Sequence, residues 1–380
     1  MNLRTVFKHT CADILAGNAV ILKGPPGFGK TDLMGKVGVW WKNQNPGKRV
    51  GLSCFFMATQ SSIGFTGLPW KGEREIEGRR FTVTDPAIPQ WFMATDMDSG
   101  EVRPASLFDS VLLVIEEWGQ GEAETKRAGA EVLRAGGTPP WYLPAGSPRI
   151  ALTNVDARDG VTKEFDFVIG RRGEYEITGD VDVWLEDFAD KPYSWQGRTW
   201  DVMPVTKAWA KQHPEVLFEP KPEKQGPWCN PRTMCMADRY AQVMSHMNNN
   251  EIPVKDSGFV EGIAGKIGMA AAVSYVGHLQ FMLDLPSYET IVADPKGTPV
   301  PSKADLQLLM AYELAGRTKV EHLAEVITYM SRKEMPKDMS VTYVSSLLRR
   351  DYKSIVNEPA MQAWISKNAS LVSIIASLAQ

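Results

Sequence analysis

The segment Gly24-Pro25-Pro26-Gly27-Phe28-Gly29-Lys30-Thr31 constrains this chain more than any other feature of its sequence. It satisfies the spacing G-x-x-x-x-G-K-[ST] in full, and it follows directly on the short apolar run Ala19 to Lys23. Each residue type in the pattern has a physical reason. Glycines let the backbone turn so that several N–H groups point into one concavity, an anion cradle at a helix N-terminus. The lysine sets a point charge against the outer groups of a polyphosphate, and the hydroxyl after it can reach a divalent cation. Such a loop needs a strand leading in and a helix leading out. The sequence predicts both: a buried strand over 19–23, and a helix over 32–42 with Leu33, Val37 and Trp40 or Trp41 on one side. Gly24 to Thr31, with Asp32 at the head of that helix, are the candidate nucleotide-binding residues.

The same texture continues for about 190 residues. Buried strands are predicted over 49–57 (RVGLSCFFM), 111–115 (VLLVI), 149–153 (RIALT) and 174–178, and a helix over 120–135 stopped by Gly136-Gly137. Residues 61–110 read as an insertion with a hairpin around 80–84, whose Phe65, Trp70, Phe81, Trp91 and Phe92 form a local buried cluster. Strands alternating with helices imply a mostly parallel, three-layer α/β sheet of the P-loop NTPase type. From about Val205 helical patterns take over, at 205–213, 231–247, 259–283, 303–314 and 320–330. The expected organisation is a nucleotide-binding domain over 1–200 and a helical lid and C-terminal region over 201–380.

A phosphate loop needs a metal-positioning acid on a neighbouring strand. Leu112-Leu113-Val114-Ile115-Glu116-Glu117 supplies four apolar residues followed by two acids. In this reading Thr31 and Glu116 hold the metal, and Glu117 polarises the attacking water. Glu116 stands where aspartate is usual, and its extra methylene shifts the carboxylate by more than about an ångström. Two acids at a strand end also suit a solvated helix start; the loop upstream favours the metal-site reading.

The remaining composition narrows the class. The formal net charge of −3 gives no global positive field to draw the chain to nucleic acid. The run Arg349-Arg350-Asp351-Tyr352-Lys353 reads as a helix surface rather than a binding patch. No stretch reaches the ~18 uninterrupted apolar residues of a membrane helix, and Met1 to Thr10 lacks the apolar region of a signal peptide. Cys11, Cys54, Cys229 and Cys235 form no C-x-x-C pair, which suits a reducing compartment and argues against zinc. Cytoplasm is the expected location. The 12 tryptophans are read as packing residues.

Taken together, GPPGFGKT, LLVIEEWGQG, ALTN and GRRGEYEI resemble the MoxR-like branch of the AAA+ ATPases, in its bacterial and phage form. The likeness runs from about Thr5 to Asp187 and continues loosely into the helical half. It implies ATP and Mg2+ as cofactors and a homo-oligomeric, hexameric ring that hydrolyses ATP between subunits. By position it implies a catalytic set of Lys30, Glu117, Asn154 and Arg172. Asn154, after RIALT, corresponds to sensor 1, which orients the attacking water. Arg172, with Arg171 beside it, corresponds to the arginine finger that reaches the next subunit's ATP. Arg232, in Asn230-Pro231-Arg232-Thr233, corresponds to sensor 2, which contacts ATP in cis. The family has phenylalanine after the finger arginine, whereas this chain has Gly173. The partners implied are a protein substrate and a protein with a von Willebrand factor A domain. Two other readings stay open: a nucleotide-gated scaffold with little hydrolysis, motivated by Glu116, and a DNA-acting motor or helicase loader, against which the charge counts.

Overall fold

A computed structural model describes residues 1–156, 159–161 and 172–368. The chain forms two compact units, Met1–Gly179 and Asp180–Gln380; the sequence texture had placed the change near residue 200.

The described strands of the first unit are β1 (Ala19–Lys23), β2 (Val50–Phe56), β3 (Pro69–Ile76), β4 (Arg79–Pro86), β5 (Met93–Asp96), β6 (Val102–Pro104), β7 (Ser110–Glu116), β8 (Gly137–Thr138), β9 (Trp141–Tyr142), β10 (Arg149–Thr153) and β11 (Arg172–Glu176). Its described helices are α1 (Leu3–Leu15), α2 (Lys30–Gln44), α3 (Ile63–Thr66) and α4 (Ala123–Ala135). Seven strands form one sheet in the order β11-β1-β10-β7-β2-β5-β6. The first five are mutually parallel, and β5 and β6 extend the edge antiparallel.

Strands β1, β7 and β10 are continuous apolar runs because both faces of the sheet are covered. Ile21, Leu113, Ile115 and Ala151 share one core with Ala130, Val132 and Leu133 of α4. On the other face Leu112 lies under Gly38 of α2. This is the predicted three-layer α/β arrangement.

Three details differ from the sequence reading. Strand β11 starts at Arg172, because it pairs residue for residue with β1 from Ala19↔Arg172 to Lys23↔Glu176. Helix α4 starts at Ala123, because Trp118–Gln120 forms a separate 3-10 turn. Helix α1 was not anticipated. Asn2 caps it by accepting from the Thr5 amide, and its buried side is Val6, Thr10, Cys11 and Ile14. Two of those four are polar or weakly apolar, so the helical period is faint in sequence.

The insertion carries the expected hairpin, β3 with β4, longer than 80–84 suggested. Phe65, Trp91 and Phe92 are buried with Phe55, and the Trp91 indole donates to the Phe65 carbonyl at 2.9 Å. Trp70 and Phe81 do not join them. They lie on one face of the hairpin and are 70% and 46% exposed.

The described part of the second unit is mostly helical. Pro231–Met247 forms as predicted, started by a reciprocal Asn230–Thr233 capping box. The expected helix over 259–283 is two helices, Ser257–Ile267 and Met269–Phe281, divided at Gly268 with φ 81°. The two arginines of the basic run at 349–353 are used internally. Arg349 pairs with Asp190 (3.0 Å) and Glu186 (2.7 Å), and Arg350 donates to the carbonyls of Ala315 and Thr318 (both 2.6 Å), at the end of helix Ala304–Arg317. Among the described residues no helix is long and apolar enough to cross a membrane.

The second unit also encloses a carboxylic acid. Asp238 accepts hydrogen bonds from the Met203 amide (3.1 Å), the Thr206 hydroxyl and the Gln242 amide (2.7 Å). Burial raises its pKa from 3.8 to about 6, with the bonds from Thr206, Met203 and Gln242 opposing the shift. Between about pH 4 and 6 the folded chain therefore keeps a proton that the unfolded chain has released, so stability falls as pH rises through that window. The fall is about 3 kcal/mol. Urea titrations of the protein and of Asp238→Asn should show this difference developing between about pH 4 and 6 and constant above. Parallel stability curves for the two proteins would contradict it.

Candidate functional site

The loop after β1 has the backbone that its glycines allow. Gly27 and Gly29 both have φ 83°, in the left-handed region, and α2 starts at Lys30 immediately after. Gly24 is needed for space: a Cβ there would stand 3.1 Å from the Cβ of Ile177, the residue after β11. The Gly24 amide donates to the Thr153 carbonyl at 3.2 Å, tying the loop to the end of β10. Pro25, Pro26 and Gly27 are half-buried, and Phe28 is buried beneath the loop. Thr31 and Asp32 are exposed on the first turn of α2, where a negative side chain also complements the helix dipole.

Lys30 is the centre of the arrangement. Its ammonium donates to the carbonyls of Gly24 (2.7 Å) and Pro25 (2.9 Å) and to Oδ1 of Asn154 (2.9 Å). Those three bonds match the donor capacity of an ammonium. They also bring Asn154 to the loop from 124 residues away in the chain.

The acids stand at the same edge of the sheet. In the parallel register Lys23 lies beside Thr153, and Ala151 beside Ile115. Strands β1, β10 and β7 therefore end together, with Asn154 between the loop and Glu116-Glu117. In open α/β sheets the carboxyl ends of the strands are where ligands bind. Glu116 is half-buried and Glu117 exposed. Glu117 has φ 56° and ψ 35°, a left-handed conformation that costs a non-glycine residue about 1–2 kcal/mol.

No group of three or more His, Cys, Asp or Glu side chains gathers to hold a metal among the described residues. Thr31 and Glu116 are hard oxygen donors, the type that fits Mg2+, which takes the rest of its shell from phosphate and water.

The arginines lie elsewhere. Arg172 opens β11 opposite Ala19, at the far end of β1 from Lys30. Its side chain is 3% exposed and pairs with Glu174 at 3.1 Å, and Glu174 also binds Lys23 at 2.6 Å. Burial works against the Glu174 charge, but Lys23 and Arg172 together hold its carboxyl below the usual range. The structure therefore does not bring Arg172 to the Lys30 loop of its own chain. Arg171 lies outside the described residues. Arg232 is exposed on the first turn of helix Pro231–Met247 in the second unit and makes no hydrogen bond or ion pair there among the described residues.

Gly173 has a packing reason. A Cβ there would fall within 3.0 Å of the Asp13 carboxylate of α1. That carboxylate accepts from the Tyr175 hydroxyl (2.6 Å) and the Asn18 amide (2.8 Å), so a side chain at 173 has to displace a carboxylate held by two hydrogen bonds. Gly119, in the turn after the acids, is a second position that sequence reasoning missed. Only spatial neighbours reveal it.

A scan against protein-family models finds no match, and no curated protein matches the sequence. Among solved structures, ATP-bound NtrX from Brucella abortus is similar at 12% identity, covering 91% of this chain and 68% of that one, with a TM-score of 0.34. AMPPCP-bound DnaA from Aquifex aeolicus is similar at 14% identity, covering 95% and 94%, with a TM-score of 0.28.

The strain at Glu117 is testable apart from any activity. Glu117→Gly removes the steric penalty of the left-handed backbone, whereas Glu117→Ala keeps it. The glycine variant should be more stable than the alanine variant by about 1 kcal/mol in denaturant unfolding. An alanine variant of equal or greater stability would mean that the backbone at 117 is not held left-handed.

Proposed function

We propose that the chain binds Mg-ATP on the Gly24–Thr31 loop and hydrolyses it as an AAA+ ATPase of the MoxR-like type, acting in a hexameric ring on a partner protein. The observation that carries the ATPase reading is the convergence of Lys30, Asn154 and the Glu116-Glu117 pair at one edge of three adjacent parallel strands. Loop amides and the start of α2 face the phosphates. Lys30 exchanges its loop carbonyls for phosphate oxygens, which as charged acceptors bind an ammonium more strongly. Thr31 and Glu116 would hold Mg2+, which would supply charge neutralisation to the phosphates. Glu117 takes the proton of the attacking water, and Asn154 orients that water.

In the ring reading Arg172 acts on the neighbouring subunit's ATP, which requires it to leave Glu174. Arg232 senses nucleotide in cis. A von Willebrand factor A domain protein is the partner class this family resemblance supports. The second reading is a nucleotide-gated scaffold. The glutamate at 116 and the closed Arg172–Glu174 pair favour it, and the rate of phosphate release by the unaltered protein separates the two. A DNA-acting motor is not favoured, because Arg349 and Arg350 are engaged inside the second unit.

Glu117→Gln tests the catalytic assignment. It should lower the rate of phosphate release about 100-fold or more while changing ATP affinity less than about threefold. Retention of the full rate would remove Glu117 as the base.

A further inference from the structure

The turn that follows the two acids lies closer to β10 than any side chain would permit. A Cβ at Gly119 would come within 3.0 Å of the Thr153 hydroxyl, and would stand 3.0 Å from both γ-carbons of Val161. Gly119 does not have a left-handed φ, so space alone requires glycine here. The Thr153 hydroxyl does not yield readily. Thr153 is buried, its hydroxyl donates to the Asn154 carbonyl at 3.0 Å, and a β-branched side chain is stiff about χ1. On its other side the turn is fixed by Trp118, which is 1% exposed and lies against Gly129 of α4 so closely that a Cβ there would stand 3.0 Å from the indole.

We propose that Gly119 is a positioning residue for hydrolysis: its missing side chain seats the acid-bearing turn against the end of β10, and so sets the separation between the Glu117 carboxylate and the Asn154 amide. The proposal rests on the ATPase reading above. Glu117 lies two residues before Gly119, and Asn154 one residue after Thr153. The Gly119–Thr153 contact is thus a packed point close in the chain to both the residue that polarises the water and the residue that orients it. Phosphate binding depends on the Gly24–Thr31 loop, on the other side of β10 from this turn. A wedge at 119 meets the Thr153 side chain, whereas the loop is held by the Thr153 carbonyl and Asn154 Oδ1, so its displacement falls on the acid-bearing turn more than on the loop. A displacement of about 1 Å between groups that must share one water costs on the order of 100-fold in rate.

The test compares the unaltered protein, Gly119→Ala, Gly119→Ala/Thr153→Ala and Gly119→Ala/Thr153→Ser by phosphate release, Mg-ATP calorimetry and thermal unfolding. Gly119→Ala should lose about 10- to 100-fold in kcat, with nucleotide Kd changed less than about threefold. Thr153→Ala in the same chain removes the hydroxyl that the new methyl meets and should recover at least a third of the lost kcat. Thr153→Ser keeps that hydroxyl but frees its rotation about χ1, and should recover less than Thr153→Ala does. The proposal is overturned if Gly119→Ala keeps full kcat, if kcat and affinity fall together, or if alanine and serine at 153 rescue alike. Should Gly119→Ala fail to fold, an active alanine double variant beside a less active serine one supports the same steric account, and two inactive doubles overturn it. An unaltered protein that binds Mg-ATP but releases no phosphate removes the ATPase reading itself and this inference with it. That result is distinct from any in which the unaltered protein turns over.

Discussion

The ammonium of Lys30 closes the geometry of the first unit. It holds two carbonyls of its own loop and the amide oxygen of Asn154, and so joins the turn after β1 to the end of β10. The parallel register carries the same alignment one strand further, to the acids at the end of β7. A loop of glycines alone is a strand–helix turn. With a cation at its centre and carboxylates one strand beyond an amide, it becomes a place where a polyphosphate, a metal and a water can be held together.

Much of this was legible in the sequence because it follows from local rules. The strand before the loop, the helix after it and the apolar run ending in Glu116-Glu117 each read directly from periodicity and residue type. The helix over 231–247 was equally plain, since Asn230, Pro231 and Thr233 announce its start. What remained hidden depends on neighbours distant in the chain. Gly173 looked like a departure from a family pattern until Asp13 was seen to occupy the space where a side chain would go. Gly119 gave no signal, because the reason for it is Thr153, 34 positions later. The left-handed backbone of Glu117 is also invisible in sequence, since glutamate rarely adopts it.

The arginines show where resemblance and packing part. Arg172 stands at the start of β11, where the family likeness puts the finger, yet its side chain is enclosed and paired with Glu174. Glu174 in turn holds Lys23, so one carboxylate links β11 to β1 beside the loop. The Arg349-Arg350 pair makes the same point in the second unit, where Asp190, Glu186 and a helix C-terminus account for the positive charge. Counting basic residues does not reveal such internal use.

Calorimetric titration with Mg-ATP, run beside Lys30→Ala, tests the central claim most directly. Saturable binding by the unaltered protein, weakened about 10- to 100-fold by loss of the ammonium, is the predicted result. Equal affinity in the two proteins, or no heat and no thermal stabilisation from the unaltered one, would contradict it.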